Sequence, residues 1–199
     1  MKAFKTKIST FAMSIIVSSI VLFSCSKKDE PVPAPVVYPE QNPLTGYLAA
    51  TGFDQKTTNF INGSDYELGY SFIPLVNGKM TAIVVKIPEA RLGMRVTVWD
   101  KVAGTAIRTE IFDVQTANVE ATKSITGLDL IKDKEYLISM NSNDWYKRSK
   151  TNDSSVTYPF TVGDIKITSY SYKNGTAQTI PDFQASAFYS GDCSFKFQK

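Results

Sequence analysis

From Tyr66 onward, apolar and polar residues alternate with a period near two, in short β-branched and aromatic runs separated by Gly, Asn, Asp and Pro. Successive side chains on an extended chain point to opposite faces, so this period marks strands with one face on a core. Nine strands are predicted: 66–74, 79–87, 94–100, 106–114, 118–126, 134–140, 157–162, 164–172 and 186–197. No segment sustains the 3.6-residue period of an amphipathic helix. Turn chemistry supports these boundaries. Asn77-Gly78 tolerates positive φ between two runs, Lys101 to Thr105 carries a glycine after VTVWD, and Lys173-Asn174-Gly175 closes the 164–172 run. Short strands at regular spacing predict an all-β fold, a single antiparallel β-sandwich of jelly-roll type over residues 44–199.

The same alternation predicts which side chains face inward. Met94, Val96 and Val98 should line the core, with Arg95, Thr97 and Trp99 outside. Ile165 and Ile167 should face in, leaving Lys166, Thr168, Tyr170 and Tyr172 on the outer face. Phe195 and Phe197 return the last strand to the core, and Cys193 between them and the preceding glycine reads as a small core hydrophobe. Gly69 relieves crowding inside a strand.

The first 43 residues follow neither period. Lys2, Lys5 and Lys7 precede an apolar stretch from Phe11 to Phe23, the order of a secretory signal. The stretch is shorter than the roughly 20 residues a spanning helix needs. It closes on Leu22-Phe23-Ser24-Cys25, which resembles the bacterial lipobox. The resemblance implies that 1–24 is a lipoprotein signal peptide and that Cys25 becomes a diacylated N-terminus, held in the membrane by its acyl chains. Ser26 to Glu30, SKKDE, resembles the surface-export signal of Bacteroidota lipoproteins; the competing reading is a solvated start to a linker. Prolines 31, 33, 35, 39 and 43 then favour polyproline II. Residues 25–43 read as a tether, able to hold the domain roughly 50 Å off the membrane. The implied location is the outer membrane, exposed at the cell surface.

Charge and rare residues narrow the chemistry. The net charge of +3 falls to zero once Lys2, Lys5 and Lys7 are removed, leaving 19 basic against 19 acidic residues. A neutral chain has no electrostatic footprint for nucleic acid, and Lys147, Arg148 and Lys150 read as a solvated loop. Histidine is absent, which excludes Ser-His-Asp and Cys-His catalysis and His-based metal sites. With Cys25 lipidated, Cys193 has no partner for a disulfide.

ELGYSF (67–72), GKMTAIVVKIP (78–88), VTVWD (96–100), ITGLDLIKDKEYLISMN (125–141) and VGDIKI (162–167) resemble a β-sandwich domain of unknown function found in bacterial secreted and surface proteins. The resemblance implies the fold across residues 66–197 and supplies no catalytic residue.

Candidate chemistry concentrates in the polar interval NSNDWYKRSKTNDSS, residues 141–155, read as a loop crossing one end of the sandwich. Trp145, Tyr146 and Arg148 are its candidate contacts to a glycan or peptide, by stacking and hydrogen bonding. The alternative is that the aromatics cover the core. Tyr170 and Tyr172, two apart on one strand face, can form a second platform about 7 Å across, with cross-strand pairing as the alternative. No metal site is assigned; Asp129, Asp133, Asp144, Asp153 and Asp164 are scattered through loops and lack a calcium-loop pattern, so structural calcium is a weak expectation. Glu67, Glu110 and Glu135 are the candidates for a two-carboxylate hydrolase. The expectation is a lipid-anchored surface module that binds, with carbohydrate as the favoured ligand. The alternative is an assembly protein contacting another envelope protein, with a hydrolase third.

Overall fold

The computed structural model describes residues 36–199; Cys25, the 1–24 segment and most of the Pro-rich stretch lie outside the described residues. Within them the chain forms α1 (Pro43–Thr51), β1 (Lys56–Phe60), β2 (Tyr66–Pro74), β3 (Gly78–Lys86), β4 (Arg91–Asp100), β5 (Thr105–Val114) and β6 (Ala121–Leu130). It continues through β7 (Tyr136–Ser142), β8 (Trp145–Ser149), β9 (Phe160–Val162), β10 (Ile165–Asn174), β11 (Phe183–Ala185), β12 (Tyr189–Ser190) and β13 (Asp192–Gln198). The main sheet runs β11-β10-β2-β7-β4-β5, with β9 added on β10; a second runs β13-β3-β6, and a small third β1-β8-β12. Between β2 and β7 the chain passes from the main sheet to the second and back twice, so the two sheets form together. Their apolar faces enclose one core of Tyr70, Phe72, Val96, Ile138, Ile83 and Phe195, all fully buried. The Phe72 and Phe195 rings, 4.6 Å apart, join the sheets. Each such side chain contributes roughly 1.5–3 kcal/mol of burial. The all-β sandwich read from the period of two is the observed fold.

The two open sides of the sandwich are closed differently. On one side α1 packs against β13 and β9. Its start is set by the Asn42 side chain, which accepts from Leu44 N at 3.2 Å, by Pro43 in the first turn, and its end by Gly52 at φ 75°. Tyr47 projects from it, fully buried, against the rings of Phe53, Tyr158, Phe160 and Tyr189. Nine residues, apolar on several faces, are too short to declare a helical period. On the other side the edges β5 and β6 pair with nothing beyond their own sheets. Arg108 reaches across to donate to the Thr126 carbonyl at 2.7 Å, and Lys123 donates to the Ile111 carbonyl at 2.7 Å. These two cations occupy acceptors that a foreign strand would use.

Two features reverse the face assignments made from alternation. In β10 the pairing with β2 slips between Ile167 and Ser169, so Thr168 is an extra residue. The bulge is tied by Thr168 Oγ1, which donates to Glu135 at 2.6 Å. Beyond it the parity inverts, and Tyr170 and Tyr172 turn to the apolar side rather than outward. Tyr170 is fully buried and its ring lies 6.0 Å from that of Tyr172. The second feature is the segment after β10, which folds across the outer face of the main sheet. Gly175 and Thr176 carbonyls accept from Asn141 and Arg95, and Gln178 Nε2 donates to Thr97 and Thr109. Thr97 and Trp99, expected outside, are therefore buried, with Trp99 Nε1 donating to Ser139 Oγ at 3.1 Å.

Gly69 crosses this sheet where β2 and β7 leave no room. A Cβ there would sit 2.7 Å from Ser139 Cα and collide with the Ile138 carbonyl. Gly69→Ala is expected to lower unfolding stability in urea by about 3 kcal/mol through backbone displacement. Arg108→Ala combined with Lys123→Ala frees both edges and should shift sedimentation velocity toward dimers and larger species.

The sandwich has two distinct ends. At one, Gln41 forms a two-way backbone bridge with Phe197, its side chain contacts Asp164, and Gln198 Nε2 donates to the Tyr38 carbonyl. Here the Pro-rich stretch joins the domain. At the other end lie Tyr66, Ser142 and Asn174, aligned across β2, β7 and β10. The nine residues of β2 separate the ends by roughly 26 Å.

Candidate functional site

Residues 141–155 are not a free loop. Trp145–Ser149 is β8, paired with β1 in register Phe60↔Trp145 and with β12 at Tyr189↔Arg148. Trp145 and Tyr146 are buried, and the Arg148 side chain is largely so. The strand's alternation divides the candidates between two surfaces. Trp145 and Lys147 face one way, Tyr146 and Arg148 the other.

On the first surface is a cleft of about 160 Å³ at the end of the sandwich remote from Gln41. Trp145, Tyr170 and Tyr172, distant in sequence, all line it, together with Phe60, Tyr66 and Phe188. Phe60 stacks on Trp145 at 5.4 Å and 6°, and Tyr66 meets the Trp145 edge at 5.2 Å. Tyr66 lies 6.5 Å from Tyr172, which in turn is 5.9 Å from Phe183 and 6.0 Å from Phe188. The result is a continuous strip of rings. Trp145, 8% exposed, is its foundation; Phe60 at 39% and Phe183 at 61% present rings to solvent, with Tyr172 and Phe188 half-buried between. Lys147 Nζ stands 4.4 Å over the Phe188 ring and brings a donor to the rim.

On the second surface Arg148 Nε donates to Asp192 Oδ1 at 2.7 Å while Nη2 takes Oδ2, and Nη1 reaches Thr57. This bidentate contact keeps the guanidinium charged, and burial lifts the Asp192 carboxyl above its ordinary range against Arg148's opposing pull. Tyr146 donates to Asn118 Oδ1 at 2.5 Å, and its ring lies under both Arg148 and Lys86, at 5.4 and 5.8 Å. Tyr146 and Arg148 thus brace this surface and take no part in the aromatic cleft.

The three glutamates are apart. Glu67 lies buried on the outer face of the main sheet, accepting from Arg95 and, at 2.8 Å, from Ser139 Oγ; Glu110 pairs with Lys123 and Arg108, and Glu135 holds the β10 bulge. The aspartates are separately employed too. Asp129 pairs with Lys79, Asp153 with Lys56 and Asp164 with Lys199, Asp144 accepts from Asn62 N, and Asp133 takes positive φ in a turn. Among the described residues no three His, Cys, Asp or Glu side chains gather closely enough to hold a metal ion. No family model matches this chain, and no curated protein matches it.

Phe60, Tyr66, Phe183 and Phe188 were not singled out in the sequence, although FQASAFY (183–189) is dense in aromatics. Only the pairing of β1 with β8 and of β11 with β10 brings them to Trp145 and Tyr172.

Burial is the main cause holding the Glu67 carboxyl above its ordinary range, with Arg95 and Ser139 pulling it down. Raised in the folded state, Glu67 keeps its proton at a pH where the unfolded chain has released it, so its contribution to stability grows as pH falls through that interval and is lost as pH rises. Urea titrations of wild type and Glu67→Gln are expected to diverge in favour of the wild type as the pH is lowered from neutral to mildly acidic.

Proposed function

We propose that this protein is a lipid-anchored surface module that binds glycan chains along the strip Phe60–Trp145–Tyr66–Tyr172–Phe183. The observation that carries the proposal is the strip itself. Solvent-facing rings backed by buried ones, spaced 5.2 to 6.5 Å apart, suit the apolar faces of successive sugar rings. Lys147, Ser190 and the tyrosine hydroxyls supply hydrogen bonding along the rim. The domain's polarity supports the same reading. The described chain enters the domain beside Gln41 and Phe197, at the end remote from the aromatic strip, so a tether attached there leaves the strip uncovered. Export to the outer surface through SKKDE and acylation of Cys25 belong to this proposal.

A second reading, docking of another envelope protein, is favoured by one feature. Ile107 and Ile111 stand exposed on the edge strand β5, apolar side chains that a partner surface could cover.

On a panel of bacterial and plant polysaccharides, the full chain in detergent micelles is expected to bind at least one polymer. The Tyr172→Ala, Phe183→Ala pair should weaken that binding at least about fivefold, since each aromatic contact contributes about 0.5–1.5 kcal/mol. Unchanged affinity with an unchanged circular dichroism spectrum would exclude the strip. Mass spectrometry of the mature terminus is expected to find acylated Cys25.

A further inference from the structure

A cavity of about 300 Å³ lies between α1 and the outer face of the β13-β3-β6 sheet, away from the aromatic strip. One wall is apolar, made by Leu44, Leu48 and Val84. The floor is ionic. Lys86 on β3 stands directly opposite Asp192 on β13, so the two share a face of the sheet. Asp192, however, gives both oxygens to Arg148. Among the described residues Lys86 is left with no carboxylate within ion-pair distance, held only over the ring of Tyr146. Glu120 and Asp54 line the same cavity, likewise without ion-pair partners among the described residues, and Glu120 is close enough to Asp192 to act on its titration.

One unpaired ammonium, two unpaired carboxylates and a short apolar wall around one small cavity make a complementary set. We infer that the cavity binds a small amphiphilic zwitterion, a free amino acid or short peptide, with its carboxylate on Lys86, its ammonium on Glu120 and its side chain against Leu48 and Val84. A ligand with one charge would forgo one of these two charge contacts, and an uncharged one would forgo both. The buried Arg148–Asp192 pair fixes the floor, and Tyr146 keeps Lys86 from folding away. The inference is independent of glycan binding, because no residue of the strip lines this cavity.

Isothermal titration calorimetry on the full chain in detergent micelles, with leucine, dileucine, leucinamide and N-acetylleucine as probes, tests it. Leucine or dileucine should bind, and each singly blocked form should bind at least tenfold more weakly, the scale of one lost charged hydrogen bond. Lys86→Met should bind leucine and leucinamide equally, and Glu120→Gln should bind leucine and N-acetylleucine equally. Glu120 is exposed and makes no ion pair, so Glu120→Gln should keep the wild-type thermal midpoint, and Lys86→Met, which loses only the Tyr146 ring contact, should keep the wild-type circular dichroism spectrum. Absence of binding for leucine and dileucine, blocked forms that bind as well as the zwitterions, or unchanged affinity in both variants would each overturn the assignment.

Discussion

One extra residue in one strand governs the arrangement of this domain. Thr168, held out of register by its hydrogen bond to Glu135, inverts the parity of β10 beyond it. Tyr170 then enters the core, where its ring lies 5.2 Å from Tyr189 and 5.7 Å from Phe188. Tyr172, two residues on, reaches the end of the sheet on that same side and joins the aromatic strip. Without the bulge these rings would stand on the face now carrying Ser169 and Ser171, and neither the core nor the strip would have its present content.

The polar side of the sheet shows the complementary solution. Glu67, Thr97 and Ser139 are buried there not by a second sheet but by the segment following β10, whose backbone carbonyls accept from Arg95 and Asn141 and whose Gln178 donates to Thr97, while Ser71 Oγ, Ser171 Oγ and Arg95 Nε on that face are left without a partner. A polar face can be covered only by something that returns its hydrogen bonds, and an irregular strand of peptide groups does so where a packed helix would not. The main sheet is therefore sealed on both faces by different means. Its inner face depends on ring and aliphatic packing, its outer face on hydrogen bonds to the covering segment.

β8 joins the aromatic strip to the charged cavity floor. Five residues, paired on both edges, place an aromatic side chain and a cation on each face. On one face the cation rims a strip of rings; on the other it is locked to Asp192 and leaves Lys86 unpaired. The two surfaces differ in kind because their neighbours differ: β1, β2 and β10 bring rings, while β3 and β13 bring charges.

Much of this was legible in the amino-acid order. The period of two, the glycine turn between Lys101 and Thr105 and the crowding at Gly69 are local steric statements, and they determined the all-β sandwich with most of its strand positions. Asn77-Gly78, read as a turn of positive φ, instead carries the chain from one sheet to the other with neither residue at positive φ. The lipobox-like LFSC and the proline run are equally local and lie before the described domain. Trp145, Tyr170 and Tyr172 were likewise visible as aromatics out of keeping with their surroundings. What only the tertiary structure decided were parity and company. A bulge leaves no mark on composition, because its residue is ordinary and its cause is a hydrogen bond to Glu135, far along the chain. The strand character of 145–149 was hidden because its polar side chains are satisfied by β1, β12 and Asp192 rather than by solvent. Alternation reports which residues share a face; only the packing of distant segments decides whether that face meets water, a core or a strap.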